Sequence, residues 1–202
     1  GTRAMTDGTA GRGLYVYGKG KASVRRSTFE ENRKVGVSVT DAGSSIELTD
    51  VVVRRTREEE SSKDLGDGIE ATVGGKLVAT RLLVEDNLTY GIGCFNAGSS
   101  VSLTDVTVRR TEARVKDQKW GVGLMVQESA SADLVRVTLD DNRTDGVFGA
   151  DKATITGTDV VVRRTRAELS SQSGGLGLRA ELGSKLTLTR TLLDKNREAG
   201  VL

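Results

Sequence analysis

Hydrophobic and polar residues alternate at a period of two along almost the whole chain. Examples are Leu14 and Val16, Ile46 and Leu48, and Val51 and Val53. Short runs of this kind indicate half-buried β-strands. No apolar run approaches the roughly 18 residues that a membrane-spanning helix needs. The pattern therefore predicts an all-β protein without membrane insertion.

The alternating runs belong to an internal repeat. The hexapeptides VVVRRT, VTVRRT and VVVRRT begin at Val51, Val106 and Val160. A glycine closes each repeating unit, and the units alternate between about 23 and about 32 residues. These glycines are Gly13, Gly36, Gly68, Gly91, Gly123, Gly146, Gly177 and Gly200. Stacked units of this length are typical of a solenoid, in which each unit depends on its neighbours for stability.

Each unit contains three alternating pairs of apolar residues, so we expect three short strands per turn of a β-solenoid. Successive turns would lie about 4.8 Å apart and pair as parallel sheets. The glycine-led strands, the turns of about 23 residues and an asparagine column resemble the right-handed parallel β-helix repeats of the pectin-lyase-like superfamily. The asparagines are Asn32, Asn87, Asn142 and Asn196. The resemblance implies a right-handed parallel β-helix of seven turns.

We expect a single domain over residues 1–202, with a partial N-terminal turn in 1–13 and seven turns in 14–200. The chain opens on Gly-Thr and stops two residues into what matches an eighth turn. Natural solenoids normally cap their ends. The expectation is a slice of a longer protein, flanked by further solenoid turns or associating end to end.

Three outward columns alternate in charge from one turn to the next, except where Lys195 follows Arg164 in the third. The first contains Arg26, Asp50, Arg81, Asp105, Arg136, Asp159 and Arg190. The second contains Glu30, Arg54, Glu85, Arg109, Asp140, Arg163 and Asp194, and the third Glu31, Arg55, Asp86, Arg110, Asp141, Arg164 and Lys195. Facing opposite charges stabilise adjacent strands by roughly 0.2 to 1 kcal/mol per pair. The Arg-Arg doublets are thus interpreted as a structural charge ladder rather than a site for phosphate or acidic polysaccharide. The asparagines are interpreted as a ladder of stacked side-chain amides at a bend of the chain.

Composition excludes several chemistries. The 202 residues contain 30 Lys plus Arg and 28 Asp plus Glu, so the net charge is only +2. A charge this small gives no reason to expect that the protein binds nucleic acid. The chain has no histidine, which excludes histidine-based catalysis and histidine metal sites. Its one cysteine, Cys94, excludes an intrachain disulfide. Cys94 falls in an inward column, where a buried thiol is expected.

The candidate contact surface is the strand face that follows each closing glycine. The outward positions there hold most of the aromatic residues, and longer loops after each VxVRRT segment flank them. The binding candidates are Tyr15, Tyr17, Phe95, Met125, Gln127, Phe148 and Trp120. Exposed aromatic residues suit stacking on sugar rings or a protein contact. The alternative is that the long loops fold over these side chains and cover them.

An enzymatic site would need clustered carboxylates. Asn96, Glu128 and Asp151 should stack on consecutive turns, and their oxygens could bind calcium for a polysaccharide lyase. Lys119 or Lys152 would then be the base. The catalytic patterns of the resembled enzymes are missing from the sequence, namely Asn-Thr-Asp with Asp-Asp, Gly-His-Gly and Arg-Ile-Lys.

The sequence thus favours a non-enzymatic structural or binding module that needs no cofactor. The expected partner is a polysaccharide or another protein, and the expected location is the cell surface or the extracellular space. The alternative is a carbohydrate-active enzyme, either a lyase or a hydrolase, assisted by calcium.

Overall fold

The computed structural model describes residues 11–198, and the secondary structure in this range consists of parallel strands without a helix. Fifteen strands lie within these residues. They are β1 (Leu14–Val16), β2 (Lys21–Glu30), β3 (Val35–Thr40), β4 (Ser45–Arg54), β5 (Asp67–Thr72), β6 (Lys76–Glu85), β7 (Tyr90–Phe95), β8 (Ser100–Arg109), β9 (Val122–Val126), β10 (Ser131–Asp140), β11 (Asp145–Gly149), β12 (Thr154–Arg163), β13 (Leu176–Ala180), β14 (Lys185–Thr189) and β15 (Leu192–Asp194).

The strands form two parallel sheets that run along the axis of a β-solenoid. One sheet contains the odd-numbered strands in the order β1-β3-β5-β7-β9-β11-β13. The other has the order β14-β12-β10-β8-β6-β4-β2, and β15 also pairs with β12. Each strand therefore pairs with the equivalent strand one turn away, as the repeat predicts. The expected opening turn and the closing Gly200 fall partly on residues 1–10 and 199–202, which lie outside the described residues.

The second and third expected strands of each turn are continuous in most turns. β4, for example, runs over ten residues from Ser45 to Arg54. Asp50, in its middle, has a φ of 57° and is skipped in the pairing with β2 and β6. A single left-handed residue thus bends the strand without ending it. Every member of the first charge column occupies this bend, and every member of the third occupies a second left-handed corner.

The inward side chains form one apolar core that follows the axis. Ile46, Leu48, Val51 and Val53 of β4 are each at most 1% exposed, and the equivalent residues of neighbouring turns pack above and below them. Cys94 lies in this core as a free, buried thiol, as predicted. Burial raises the pKa of Cys94 to about 12, so the thiol is unreactive at neutral pH.

The closing glycines stand where the chain is too crowded for a side chain. A Cβ built on Gly13, Gly36, Gly68, Gly91, Gly123 or Gly146 would come within 2.5–2.8 Å of the carbonyl oxygen of the next glycine in the column. Contacts this short do not occur for real Cβ atoms. Close packing of backbone on backbone therefore requires glycine at each of these positions.

The buried asparagines bind the backbone of the corner one turn earlier. The Asn142 side chain accepts a hydrogen bond from the Thr111 N–H (3.0 Å) and donates one to the Val108 carbonyl (3.2 Å). Asn87 makes the same two contacts with Thr56 and Val53. These amides pair backbone groups that the sheet ladder leaves free at the corner.

Replacing Asn142 with alanine is expected to lower the free energy of unfolding by about 2 kcal/mol, because two buried backbone groups lose their partners. Chemical denaturation measures the change. The control is Asn96→Ala, since Asn96 is only half-buried and its two side-chain hydrogen bonds, with the Val73 N–H and with Glu128, are both exposed. Equal losses in the two variants would contradict the role given to Asn142.

The Arg-Arg doublets form ion pairs with acidic residues of adjacent turns. Arg109 and Arg110 lie 2.7 and 2.8 Å from the Glu85 carboxylate, which is nearly buried. Arg163 and Arg164 both contact Asp140 in the same way. At the bend, Arg81, Arg136 and Arg190 each bind both carboxylate oxygens of Asp50, Asp105 and Asp159, respectively. The doublets are thus already paired within the protein.

Candidate functional site

Three long loops project from the same corner of the solenoid and stack on one another. They connect β4 to β5 (residues 55–66), β8 to β9 (110–121) and β12 to β13 (164–175). Each contains the same pair of internal backbone hydrogen bonds, for example from Gln118 N–H to the Arg114 carbonyl. The first two loops are joined by an ion pair between Arg114 and Asp64 (3.0 Å), and the last two by a hydrogen bond from Ser170 N–H to the Gln118 carbonyl (3.1 Å).

Trp120 of the second loop packs against the aromatic face that the sequence analysis expected to be exposed. Met125 and Phe148 are only 1% and 3% exposed. They form a second apolar cluster with Val122 and Ala150, against which Tyr90, Phe95 and Trp120 pack. The expectation that Phe95, Met125 and Phe148 form an exposed apolar diagonal is therefore wrong. Trp120 of the second loop packs on the cluster and the Arg179 guanidinium of β13 lies over the Phe148 ring, so the alternative of coverage by a loop describes only part of the arrangement.

Other predicted contact residues remain accessible. Tyr15 and Tyr17 are 42% and 61% exposed, and their rings stack with centroids 4.9 Å apart. The Arg12 guanidinium lies 4.5 Å from the Tyr15 ring centroid. Gln127 is half-buried at the end of β9. Tyr15 lies on β1 and Tyr17 directly follows it. The strand β1 is six strands away from β13, which is about 29 Å at the usual strand spacing.

Trp120 lies beside a cleft between the second and third loops, which we call the loop cleft. Its volume is about 430 Å³. It is lined by Lys119, Trp120, Thr144, Glu168, Ser173, Gly174, Leu176, Arg179 and Glu198. The cleft combines one aromatic side chain with two basic and two acidic side chains, so its lining charges balance.

The Trp120 backbone is held in the left-handed region, with a φ of 66°. Its N–H donates to Glu168 Oε1 (3.1 Å), and its carbonyl accepts from the Thr144 hydroxyl (2.8 Å). The indole packs on Tyr90, with ring centroids 6.1 Å apart. Left-handed backbone costs a non-glycine residue on the order of 1 kcal/mol. The surrounding contacts therefore hold this side chain at the cleft against a local conformational preference.

Glu168 stays ionised at the cleft. Its partial burial would raise the carboxyl pKa, but hydrogen bonds from Ser171, Ser170 and the Trp120 N–H outweigh that effect and lower the pKa. The carboxylate therefore accepts hydrogen bonds both from its own loop and from the neighbouring one.

Arg179 forms the sheet side of the cleft and rests on a buried carboxyl. Its guanidinium lies 4.0 Å from the Phe148 ring centroid. One of its nitrogens is 3.5 Å from Asp145, and another is 2.8 Å from Glu181. Burial raises the pKa of Asp145 to about 7, and the Arg179 charge only partly opposes this. The Asp145 carboxyl is fully buried behind Arg179, so it does not reach the cleft surface.

Asp145 was missed by the sequence analysis, and so was a second buried acid, Asp67. Burial, followed by the neighbouring Glu70 carboxyl, raises the pKa of Asp67 well above its ordinary value. Both acids directly precede a closing glycine. In the sequence, the other members of that column are Arg12, Val35, Tyr90, Val122, Leu176 and Ala199. An acid at a position that holds a large apolar residue in four of the eight units was the signal available in the sequence.

The row proposed for calcium and catalysis is only partly assembled. Asn96 donates a hydrogen bond to Glu128, and Glu128 and Asp151 line one shallow groove together with Lys152. Lys119 is not part of this groove, so its proposed role as the base there is wrong. It precedes β9 whereas Glu128 follows β9, and the five residues of that strand span about 16 Å. Within residues 11–198, no group of three or more His, Cys, Asp or Glu side chains is placed to hold a metal ion.

The two parallel sheets and their turn-by-turn register define a β-solenoid. The chain belongs to the right-handed β-helix family, because the model of the right-handed beta helix region matches residues 5–148, well over half of its length. The predicted family and the predicted fold class are thus confirmed. No curated protein matched the chain. Across the residues that the structure describes, no helix has the length and apolar character needed to cross a membrane.

Proposed function

We propose that this protein is a non-enzymatic β-solenoid module of a larger surface or secreted protein, and that its loop cleft binds a glycan. The observation that carries the proposal is the position of Trp120, which two ordered loops hold beside polar side chains in an open cleft. Carbohydrate sites combine an aromatic face for the sugar ring with polar groups that fix its orientation.

The charges of the cleft favour a neutral glycan. Lys119 and Arg179 are balanced by Glu168 and Glu198, so a chain of uronic acids would meet two carboxylates. The Arg-Arg doublets outside the cleft are paired with Glu and Asp, which supports a structural role for them as a charge ladder. A rigid scaffold with a site on its loops is a common arrangement for binding proteins.

A panel of neutral and acidic oligosaccharides, followed by calorimetry, tests the proposal. Trp120→Ala is expected to weaken binding of the responding glycan at least about tenfold, which is about 1.4 kcal/mol. Trp120→Phe should restore part of the affinity, because it returns an aromatic face. The control is Tyr17→Ala, which removes an exposed aromatic side chain far from the cleft.

The outcomes separate the two aromatic surfaces. Binding lost in Tyr17→Ala but kept in Trp120→Ala would contradict the cleft and assign the site to the stacked tyrosines. Unchanged binding in both variants would contradict every aromatic site that we propose.

The alternative function is a carbohydrate-active enzyme, and one observation favours it. Glu128, Asp151 and Lys152 share a groove, which brings two carboxylates and a base together. Unsaturated or reducing-end products from a polysaccharide panel, lost in Glu128→Gln, would establish this activity. Products that persist in that variant would place catalysis elsewhere.

A further inference from the structure

The three long loops end in the same backbone geometry. At the end of each loop, two successive N–H groups donate to a single carbonyl of the preceding turn, over 2.8–3.1 Å. These donors and acceptors are Gly66 and Asp67 with Lys34, Gly121 and Val122 with Thr89, and Gly175 and Leu176 with Thr144. The residue directly before these donors therefore occupies an equivalent position in all three loops.

That equivalent position carries a different side chain in each loop. It is Leu65 in the first loop, Trp120 in the second and Gly174 in the third. All three residues are left-handed, with φ values of 63°, 66° and 77°, respectively. The backbone here accepts a leucine and a tryptophan, so the conformation does not by itself require the glycine in the third loop. Only the third loop leaves out the side chain.

The missing side chain opens part of the loop cleft. Gly174 lines this cleft together with Thr144 and Trp120. A Cβ built on Gly174 would lie 3.2 Å from the Thr144 carbonyl oxygen and 3.7 Å from Thr144 Cγ2. A side chain at this position would therefore start against the preceding turn, just as the Trp120 indole lies against Tyr90 of its own preceding turn. We call this part of the cleft the Gly174 recess.

The recess is one ring deep. The second and third loops lead into β9 and β13, which are two strands apart in their sheet, or about 9.6 Å at the usual spacing. A ring in van der Waals contact on both sides takes about 7 to 8 Å, whereas two stacked rings would take about 11 Å. One ring therefore fits between the two loops.

The polar groups of the cleft favour a sugar ring over an apolar occupant. Lys119 and Arg179 supply donors, and the Glu168 carboxylate supplies acceptors. An apolar ring would take these groups out of water without replacing their hydrogen bonds, which is costly. Sugar hydroxyls both donate and accept hydrogen bonds, and the C–H face of the ring can lie on an indole.

We propose that Gly174 is the residue that makes room for the ligand in the loop cleft, and that the Gly174 recess seats one neutral sugar ring beside Trp120. The ring takes the place that a side chain of the third loop would otherwise fill. This inference rests on the proposed glycan-binding function and adds to it the number of rings bound and the residue that admits the ring.

Gly174→Leu tests the proposal by filling the recess. It gives the third loop the residue that the first loop carries at the equivalent position, Leu65. Binding of the responding glycan should weaken at least about tenfold in calorimetry, although Trp120 is unchanged. The matched control is Gly174→Ala, which has the same backbone conformation and the same contact with Thr144 but leaves most of the recess open. Its affinity should stay within about threefold of the wild type.

A second measurement needs no glycan. Trp120 is the one tryptophan of the chain, so tryptophan fluorescence reports on this site alone. Acrylamide quenching of Trp120 should fall at least about twofold in Gly174→Leu, because the leucine side chain comes into contact with the indole. Quenching in Gly174→Ala should stay close to that of the wild type. Circular dichroism and urea denaturation establish that both variants are folded.

The outcomes separate this inference from the proposed function. If Gly174→Leu lowers quenching but binds the glycan with wild-type affinity, the ring does not occupy the recess and the inference is overturned, while Trp120→Ala still tests the cleft. Unchanged quenching in Gly174→Leu would overturn the recess itself. A wild-type chain that binds no glycan of the panel would overturn the proposed function and the sugar ring together.

Discussion

The free energy of unfolding is expected to fall by roughly 4 kcal/mol as the pH rises from about 4 to about 7, through Asp145 alone. The folded structure raises the pKa of this buried carboxyl from 3.8 to about 7. Between these values the unfolded chain releases the proton whereas the folded chain retains it. The stability that Asp145 contributes is therefore fully present below about pH 4, and it is lost as the pH rises through the pKa of the folded state. Asp67 acts in the same direction.

Urea denaturation between pH 4.5 and 8 measures this effect. Asp145→Asn should make the profile less steep, since the amide has nearly the same shape and no charge to bury, and the slope that remains is the contribution of Asp67. The exposed Asp151→Asn is the control and should keep the wild-type slope. A wild-type stability that rises over this range would contradict the burial of Asp145. The surface aspartates Asp50, Asp105 and Asp159 do not interfere, because arginine hydrogen bonds lower their pKa and their contribution is lost only at more acid pH.

Gly91→Ala is expected to lower the free energy of unfolding by about 3 kcal/mol, at the upper end of the usual cost of overpacking. The added Cβ would lie 2.4 Å from Val108 Cγ1, 2.8 Å from the Gly123 carbonyl oxygen and 2.9 Å from Thr111 Oγ1. None of these neighbours is the end of a flexible side chain. The turns must therefore separate, which stretches the hydrogen bonds between β7 and β9.

The matched control is Gly18→Ala, because a Cβ there meets no heavy atom within 4 Å. Its φ of 62° should still cost about 1 kcal/mol. Thermal or chemical unfolding of the two variants separates crowding from backbone strain. A loss at Gly91 no larger than at Gly18 would show that the glycine column has room for a methyl group.

Three residues, Met125, Phe148 and Asp145, show why the sequence did not predict which side chains of the site are buried. Met125 and Phe148 occupy outward positions of the coil, and the column assignment was right for both, since they pair with each other in the register. Trp120 of the second loop packs on their cluster, and the Arg179 guanidinium lies over the Phe148 ring. The position of that loop depends on contacts such as Arg114 with Asp64, fifty residues apart. Asp145 is fully buried and faces Arg179, which belongs to the next turn.

Periodicity alone was enough to predict the solenoid, the alternating turn lengths and the inward columns, because each turn repeats the environment of its neighbours. The spacing of apolar residues, glycines and asparagines reports that environment directly. The tertiary structure decided which outward residues are covered, where the strand bends without ending, and which acids are buried. Those features depend on loop packing and on single left-handed residues, neither of which leaves a period in the sequence.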